Sequence, residues 1–272
     1  MEKIVVSGGF DDIKSRDVRF LEEAAKFGPV HVYLWSDESV KALTGVNPKF
    51  PIEERKYFLD AVRYVYKVHL VEQFSGTDEL PQIDGFNPRM WIVTPENDSP
   101  QKQSYCASQG LVYAVIEEDN LQGFPFQPAK DKTPTSRKKV LVTGCYDWFH
   151  SGHVRFFEET SALGDLYVVV GHDENVRLLK GDRHPKFPQD ERRYMVGSIK
   201  FVKQALISSG QGWMDAEPEI ELIKPDIYAV NKDGDKPEKR AFCEQHGLEY
   251  VVLKRMPAAG LPRRESTHLR GF

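Results

Sequence analysis

The chain repeats itself, because a pattern in its first half returns in its second half at a nearly constant spacing. Residues 6–20 align with residues 142–156. After the insertion of one residue, Pro48-Lys-Phe-Pro51 aligns with Pro185-Lys-Phe-Pro188. Self-similarity at one spacing is the signature of a repeated architecture. The pattern therefore predicts a tandem duplication, and we expect two units with the same fold.

Each copy alternates strand-like with helix-like segments. In the second copy, residues 140–143 are a β-branched run that ends in glycine, which is typical of a buried parallel strand. Residues 151–163 have the apolar spacing of a helix and stop at Gly164. Further strands are predicted for residues 166–170, 226–230 and 250–253, and further helices for residues 188–201 and 237–246. Such alternation gives a parallel sheet with right-handed crossovers, so we predict an α/β protein of two tandem Rossmann-like, doubly wound domains.

A proline-rich segment separates the two copies. Residues 123–136 carry three prolines and little periodicity, which is typical of a linker. We therefore predict a first domain over residues 1–120, a linker over residues 121–137 and a second domain over residues 138–272. Phe124 and Phe126 are expected to lay the linker on the protein surface.

Composition excludes several classes of function. The formal charge of −4 gives no basic field, so we expect no nucleic-acid partner. The longest apolar runs, such as residues 166–170, have the length of strands, so we expect no membrane segment. Three cysteines do not form a disulfide framework, and residues 1–6 run directly into a strand pattern. We expect a reduced, cytoplasmic protein.

The two copies differ most at the turn between their first strand and first helix, and we expect the chemistry there. The second copy has the run Gly144-Cys-Tyr-Asp-Trp-Phe-His-Ser-Gly-His153 at this turn. In the first copy Lys14, Arg16 and Asp17 stand in place of His150, Gly152 and His153. The first copy is therefore predicted to be degenerate and non-catalytic.

The turn of the second copy is suited to phosphate. It lies at the carboxyl end of a strand, where ligands bind in α/β sheets, and it opens a helix whose free N–H groups attract anions. Gly152 lets the backbone approach a phosphate closely. His150 and His153 can donate hydrogen bonds to the charge that grows at a phosphoryl centre.

This run resembles the Gly-x-Tyr/Phe-Asp-x-x-His-x-Gly-His signature of the cytidylyltransferase-like nucleotidyltransferases. The family includes glycerol-3-phosphate and ethanolamine-phosphate cytidylyltransferases and heptose-phosphate adenylyltransferases. The resemblance covers residues 139–267. Residues 178–192 are similar to the family's lysine-containing loop and Glu-Arg helix, and residues 261–267 resemble its Arg-Thr-x-Gly-Ile-Ser-Thr-Thr stretch without the Gly-Ile. The resemblance implies that a phosphate monoester attacks the α-phosphorus of a nucleoside triphosphate and releases pyrophosphate.

The resemblance also implies roles for single residues. It assigns catalysis to His150, His153, Lys180 and Arg192. It assigns nucleotide binding to Gly144, Cys145, Tyr146, Gly152, Lys186, Asn231, Asp233, Ser266 and Thr267. Of Lys180 and Lys186, at least one is expected to be only a solvated charge, and Asp147 either orients the acceptor substrate or stabilises the turn. Mg²⁺ is expected to accompany the triphosphate rather than to occupy a protein cage.

Several alternatives stay open at this point. The favoured reaction transfers CMP from CTP to a phospho-alcohol such as phosphoethanolamine or glycerol 3-phosphate. One alternative is an ATP-dependent adenylyltransferase that acts on a sugar phosphate, and another is a non-catalytic nucleotide sensor. The insertion at residues 208–214 either shapes an acceptor pocket or is a surface loop. The protein is either a homodimer or a monomer with an intramolecular pseudo-dimer.

Overall fold

The computed structural model describes residues 2–72, 76–127 and 136–269, apart from the side chains of residues 267 and 268. The chain divides into two compact units, Met1–Gly123 and Phe124–Phe272, which we call unit 1 and unit 2. Among the helices of the described residues, none is long and apolar enough to cross a membrane.

Unit 1 is a five-stranded parallel sheet with helices between its strands. The strands are β1 (Ile4–Gly8), β2 (Val30–Trp35), β3 (Val65–Val71), β4 (Met90–Val93) and β5 (Val112–Val115), in the order β3-β2-β1-β4-β5. The helices are α1 (Ser15–Ala25), α2 (Asp37–Thr44), α3 (Ile52–Ala61) and α4 (Pro100–Gln109).

Unit 2 has the same architecture. Its strands are β6 (Lys139–Gly144), β7 (Asp165–Val170), β8 (Val202–Ile207), β9 (Ile227–Asn231) and β10 (Glu249–Leu253), in the order β10-β9-β6-β7-β8. Its helices are α5 (Ser151–Leu163), α6 (Asp173–Lys180), α7 (Gln189–Gly197), α8 (Glu217–Ile223) and α9 (Pro237–His246). The predicted α/β class with two parallel sheets is confirmed.

The two sheets have the same topology. Counted within each unit, the order is third, second, first, fourth and fifth strand in both cases. Equivalent positions also carry the core: Cys106 of α4 and Cys243 of α9 are both buried against their sheets. A duplicated unit would produce this correspondence, although the duplication itself stays a prediction.

The strand order decides which helices flank which face. In the sheet of unit 2, β7 and β8 follow on one side of β6, and β9 and β10 follow on the other side. With right-handed crossovers, α5 to α7 lie on one face of the sheet and α8 and α9 on the other. One core cluster, containing Ile220 and Ile223 of α8 and Cys243 of α9, fills the second face.

The predicted helix over residues 188–201 is too long. In the structure α7 ends at Gly197. The Ser198 hydroxyl donates to the Met195 carbonyl at 2.6 Å, and the fully buried Ile199 and Val202 lead the chain into β8. Core packing at the helix end therefore overrides the helical pattern.

The start of unit 2 packs on α7. Arg193 donates to the Phe124 carbonyl at 3.2 Å, and its guanidinium lies 5.3 Å from the ring centroid of Phe126. Gln127 is buried, and a Cβ at position 197 would overlap its side-chain oxygen. The absence of a side chain at Gly197 therefore makes room for this segment.

Candidate active site

A cleft opens at the carboxyl ends of the strands of unit 2, with an empty volume of about 720 Å³ that includes its open mouth. Ten of the sequence-predicted site residues line it, namely Gly144, Cys145, Tyr146, Asp147, His150, Gly152, His153, Lys180, Asn231 and Asp233. Lys186, Arg192 and Ser266 do not, and the Thr267 side chain lies outside the described residues. The insertion at residues 208–214 contributes no residue to the lining.

The two histidines of the cleft cap α5. The Nδ1 atom of His150 accepts a hydrogen bond from the Gly152 N–H at 3.0 Å. The Nδ1 atom of His153 accepts one from the His150 N–H at 3.3 Å. A neutral imidazole that accepts at one nitrogen carries its proton on the other. Both rings therefore hold their proton at Nε2.

Burial keeps both rings neutral. It lowers the pKa of His150 to about 3, with further contributions from the positive charges of Arg255 and Arg264. It lowers the pKa of His153 well below the ordinary value, and His150 contributes to this shift. The ring centroids are 4.0 Å apart. The cap thus presents two adjacent, neutral Nε2–H donors to the cleft.

Gly152 has a structural role beside the one predicted for it. A Cβ at this position would lie 2.8 Å from Cε1 and 2.9 Å from Nδ1 of His150. Distances below 3.0 Å are not found for real Cβ atoms, so one of the two groups would have to move. Gly152 therefore seats the His150 ring, in addition to leaving its backbone open to a ligand.

Two buried polar atoms at the cleft have no hydrogen-bond partner among the described residues. They are the hydroxyl of Tyr146 and the Oδ1 atom of Asn231. Tyr146 has a φ of 54°, and its ring packs on His153 with centroids 5.4 Å apart. An unsatisfied buried polar group costs about 1–3 kcal/mol, so a polar ligand in the cleft would relieve this cost.

Asp147 lines the cleft and also holds the loop before α7. Its Oδ1 accepts from the backbone N–H groups of Lys186, at 2.7 Å, and Phe187, at 3.0 Å. Its Oδ2 lies 3.3 Å from Nδ1 of His184. These contacts are those expected of the structural role, and the acceptor role of Asp147 stays a prediction. Lys186 takes part through its backbone, and its side chain is exposed.

Arg192 does not reach the cleft, contrary to its predicted phosphate contact. Its side chain is 1% exposed, and it donates to the carbonyls of Cys145 at 2.6 Å and Phe187 at 2.9 Å. A third bond at 2.6 Å joins it to Asp173. The guanidinium joins two loops to the start of α6, so its hydrogen bonds hold the turn in place and leave none for a phosphate.

Ser266 lies beside the first histidine. It opens the 3₁₀ turn Ser266–Leu269, and its Oγ is 3.4 Å from Nε2 of His150. The carboxyl-terminal stretch therefore approaches the histidine pair, as the family resemblance implies, although Ser266 does not line the cleft.

Comparison with known proteins shows the family of this chain. A sequence model of the cytidylyltransferase-like family matches residues 141–260. The FAD synthase of Ferroglobus placidus is 41% identical over 120 residues, which are 43% of this chain and 75% of that protein. This chain belongs to the cytidylyltransferase-like family. It is a nucleotidyltransferase.

Other similar proteins carry related names. The FAD synthase of Thermococcus onnurineus is 33% identical over 132 residues, which are 46% of this chain and 83% of that protein. The bifunctional protein HldE of a Nitratiruptor species is 34% identical over 126 residues, 46% of this chain and 26% of that protein. A lipopolysaccharide core biosynthesis protein of Thermoplasma volcanium of known structure is 25% identical, with a TM-score of 0.39, over 44% of this chain and 98% of that one.

Unit 1 of this nucleotidyltransferase keeps the supporting contacts without the histidines. Arg55, at the position of Arg192, donates to the carbonyls of Gly9 and Phe50 and to Asp37. Asp11, at the position of Asp147, accepts from the N–H groups of residues 49 and 50 at 2.7 and 2.9 Å. These contacts therefore belong to the fold, since they occur where the histidine pair is missing.

Unit 1 carries ion pairs at the positions of three cleft residues of unit 2. The guanidinium of Arg16, at the position of Gly152, pairs with Glu96 and, at 2.6 Å, with Glu118. These two carboxylates stand at the positions of Asp233 and Arg255 in unit 2. The cap of α1 is kept by Asp17, whose Oδ2 accepts from the Lys14 N–H at 2.8 Å.

Sequence reasoning missed two cations of the nucleotidyltransferase cleft. Arg255 has a φ of 53° and pairs with Asp233, and Lys239 of α9 also lines the cleft. The alignment of the two copies contained a signal for Arg255, because Glu118 of opposite charge stands at its position. Lys239 aligns with Lys102 in the first copy, so the alignment shows no difference at this position. Only the structure shows that the two lysines have different neighbours.

Proposed function

We propose that unit 2 transfers an adenylyl group from ATP to a phosphate monoester and releases pyrophosphate. The observation that carries this proposal is the pair of neutral Nε2–H donors of His150 and His153 at the start of α5, inside a cleft that Lys180 also lines. The choice of ATP is supported by the relatives named FAD synthase, because FAD is FMN joined through its phosphate to AMP. FMN is therefore the first acceptor to test, and a sugar phosphate is the second.

The chemistry needs positioning and charge stabilisation more than a nucleophilic side chain. A phosphate oxygen of the acceptor attacks the α-phosphorus in line, and the bond to pyrophosphate breaks as the new phosphorus–oxygen bond forms. The Nε2–H groups of His150 and His153 donate to the α-phosphoryl oxygens, on which negative charge is concentrated. The Lys180 ammonium balances charge on the departing pyrophosphate.

Mg²⁺ is proposed to enter with the triphosphate. Within residues 2–72, 76–127 and 136–269, no group of three or more His, Cys, Asp or Glu residues could hold a metal ion. Mg²⁺ keeps several waters and is commonly bound through substrate phosphates, which fits this set of residues. Phosphate oxygens and water would then supply its ligands.

A second reaction uses CTP and a phospho-alcohol such as phosphoethanolamine or glycerol 3-phosphate. It is favoured by residues 164–171 and 187–195, which resemble ethanolamine-phosphate cytidylyltransferase, itself a tandem duplicate. A non-catalytic sensor would bind nucleotide in the same cleft without releasing pyrophosphate.

Unit 1 is proposed to be non-catalytic. Its helix α1 has a carboxylate, Asp17, in the place of the second histidine, and carboxylate repels phosphate. Arg16 and its two glutamate partners stand at the positions of the cleft residues Gly152, Asp233 and Arg255. The first domain would then preserve the fold without the reaction.

Pyrophosphate release with Mg²⁺ tests these proposals. ATP and CTP are each combined with FMN, phosphoethanolamine, glycerol 3-phosphate and a heptose phosphate. We expect release with ATP and one acceptor, a loss of about 10²-fold or more in His150→Ala, and near-normal turnover in Asp17→Ala. The second substitution is the control in unit 1, because Asp17 stands at the position of His153, the other cap residue, and its loss costs about 1 kcal/mol.

Each other outcome has a separate meaning. Release with CTP alone would replace the adenylyl proposal by the cytidylyl one. Nucleotide binding by calorimetry without release would favour the sensor. Equal losses from His150→Ala and Asp17→Ala would refute the asymmetry between the units.

A further inference from the structure

We propose that His184 is a positioning residue for the transfer, because it ties the loop that follows Lys180 to the turn that leads into the histidine pair. This inference rests on the proposed function and adds to it a contact that fixes a cation at the cleft. His184 lies in the loop between α6 and α7, and its Nδ1 atom is 3.3 Å from Oδ2 of Asp147. Asp147 stands three residues before His150.

The contact between His184 and Asp147 is shielded from water. The two side chains are 13% and 6% exposed, respectively. An ionised carboxylate only accepts hydrogen bonds, so the Nδ1 atom of His184 carries the proton of this contact. Asp147 also accepts from the N–H groups of Lys186 and Phe187. One carboxylate that lines the cleft therefore holds the loop at three points.

A short hydrogen-bonded turn connects His184 to Lys180. The His184 N–H donates to the Gly181 carbonyl at 3.0 Å, and the Gly181 N–H closes the end of α6 by donating to Arg177 at 2.8 Å. Lys180 is the last residue of α6 and lines the cleft, but among the ion pairs of the described residues it takes part in none. The place of Lys180 is therefore set by the end of α6 and, through the turn, by His184.

The charge of Lys180 reaches the histidine pair. Burial lowers the pKa of His153, and the positive charge of Lys180 adds to this shift. A movement of the loop would therefore change the surroundings of the groups that are proposed to bind the triphosphate.

The equivalent loop of unit 1 lacks both side chains. Helices α2 and α3 correspond to α6 and α7, but the loop of residues 45–51 is one residue shorter than the loop of residues 181–188. Asn47 stands at the position of His184, and Thr44 stands at the position of Lys180. The histidine and the lysine thus occur together in the unit that has the cleft.

The carboxylate before the helix is also used differently in the two units. In unit 1 the two oxygens of Asp11 accept one N–H each, from residues 49 and 50. In unit 2 both equivalent N–H groups donate to Oδ1 of Asp147, which leaves Oδ2 for His184. The fold can therefore close this loop without the histidine contact, so the contact serves another purpose.

The reaction needs Lys180 and the histidines in place at the same moment. In the proposed mechanism the histidines donate to the α-phosphoryl oxygens while Lys180 balances charge on the departing pyrophosphate. A displacement of about 1 Å can cost about 10²-fold in rate. The contact between His184 and Asp147 restricts the loop before the substrate binds, so less freedom is lost on binding.

The test removes the contact with His184→Ala. His184→Asn restores a donor near the place of Nδ1, and Asp182→Asn is the matched control, because it changes an exposed side chain of the same loop. His184→Ala is also combined with Lys180→Ala, and kcat and KM are measured with the substrates that support turnover. Calorimetric titration with ATP and Mg²⁺, thermal unfolding, and hydrogen exchange of residues 178–187 do not require an acceptor.

We expect His184→Ala to lower kcat about tenfold and to speed hydrogen exchange of the loop, while KM values change less than about threefold. The double variant should be no slower than Lys180→Ala alone, because His184 acts through Lys180. His184→Asn should recover part of the loss, and Asp182→Asn should resemble the wild type.

The inference is overturned by losses that multiply in the double variant, or by hydrogen exchange of the loop that does not change in His184→Ala. A loss of kcat that only follows a lower Tm of unit 2, without recovery in His184→Asn, would also overturn it. Absence of turnover with every acceptor would contradict the proposed function, whereas the exchange measurement tests the contact itself.

Discussion

Replacing Arg192 distinguishes a residue that supports the fold from one that binds phosphate. In Arg192→Met the carbonyls of Cys145 and Phe187 each lose a hydrogen bond from a charged donor, which is worth about 1.5–3 kcal/mol. The third partner, Asp173, is 30% exposed and regains water, so its loss is smaller. Removing one member of a buried charged pair typically costs about 3–5 kcal/mol, and we expect a loss of about 4 kcal/mol.

Calorimetry of the full chain measures this loss. For a unit of this size, 1 kcal/mol corresponds to about 2–4 °C in Tm, so the transition of unit 2 should fall by roughly 10 °C. Arg55→Met is the matched control, because Arg55 makes the same three kinds of contact in unit 1. It should lower the transition of unit 1 by a similar amount and leave turnover intact.

ATP affinity is the second measurement, and we expect it to change little where Tm falls. Below the lowered Tm, ATP affinity of Arg192→Met should stay within a few-fold of the wild type, because the buried guanidinium does not line the cleft. Arg192→Lys should be nearly as unstable, since an ammonium cannot reach three separated acceptors as a planar guanidinium does. An unchanged Tm with a large loss of ATP affinity, restored by lysine, would refute the structural role.

Two further predictions concern stability. The pKa of His150 is lowered to about 3 and that of His153 is lowered too, so below pH 6.5 the unfolded chain binds protons that folded unit 2 does not. The free energy of unfolding of unit 2 should therefore fall by up to about 1.4 kcal/mol per pH unit for each histidine as the pH drops from 6.5 towards 4, and its Tm should fall with it. The double variant His150→Gln/His153→Gln should show a flatter pH dependence, and an equal slope in both proteins would contradict the assignment. Gly197→Ala should destabilise unit 2 by about 1–3 kcal/mol, because the new Cβ displaces Gln127 from α7, and denaturation curves with no change in midpoint would disprove that packing.

Much of the fold could be predicted from the sequence because its signals are local. The β-branched runs and the apolar spacing placed the strands β6 and β7 and the helices α5 and α9 to within a residue or two. The end of α7 could not be predicted in this way. Its last turn was set by the burial of Ile199 and Val202, which depends on the neighbouring strand.

The candidate site could be located from the sequence, but the partners of single residues could not. The strand–helix turn and its histidines pointed to the cleft, since glycine and histidine at fixed spacing are local features. Whether Arg192 meets a phosphate or three backbone and side-chain acceptors depends on loops distant in sequence. Lys239 was missed for the same reason, because its neighbour Asp215 is bonded elsewhere.

The cap of α5 has a consequence for how such an enzyme can lose its activity. The Nδ1 atom of His153 accepts a hydrogen bond from the first turn of the helix, and the ring also lines the cleft. A carboxylate can accept the same capping hydrogen bond, as Asp17 does in α1, but an ionised carboxylate cannot donate a hydrogen bond to a phosphate. The codons for histidine and aspartate differ by one base. A single mutation of this histidine can therefore abolish the reaction of one unit while its first helix stays folded. An inactive copy then persists as a folded unit of the same chain as an active one.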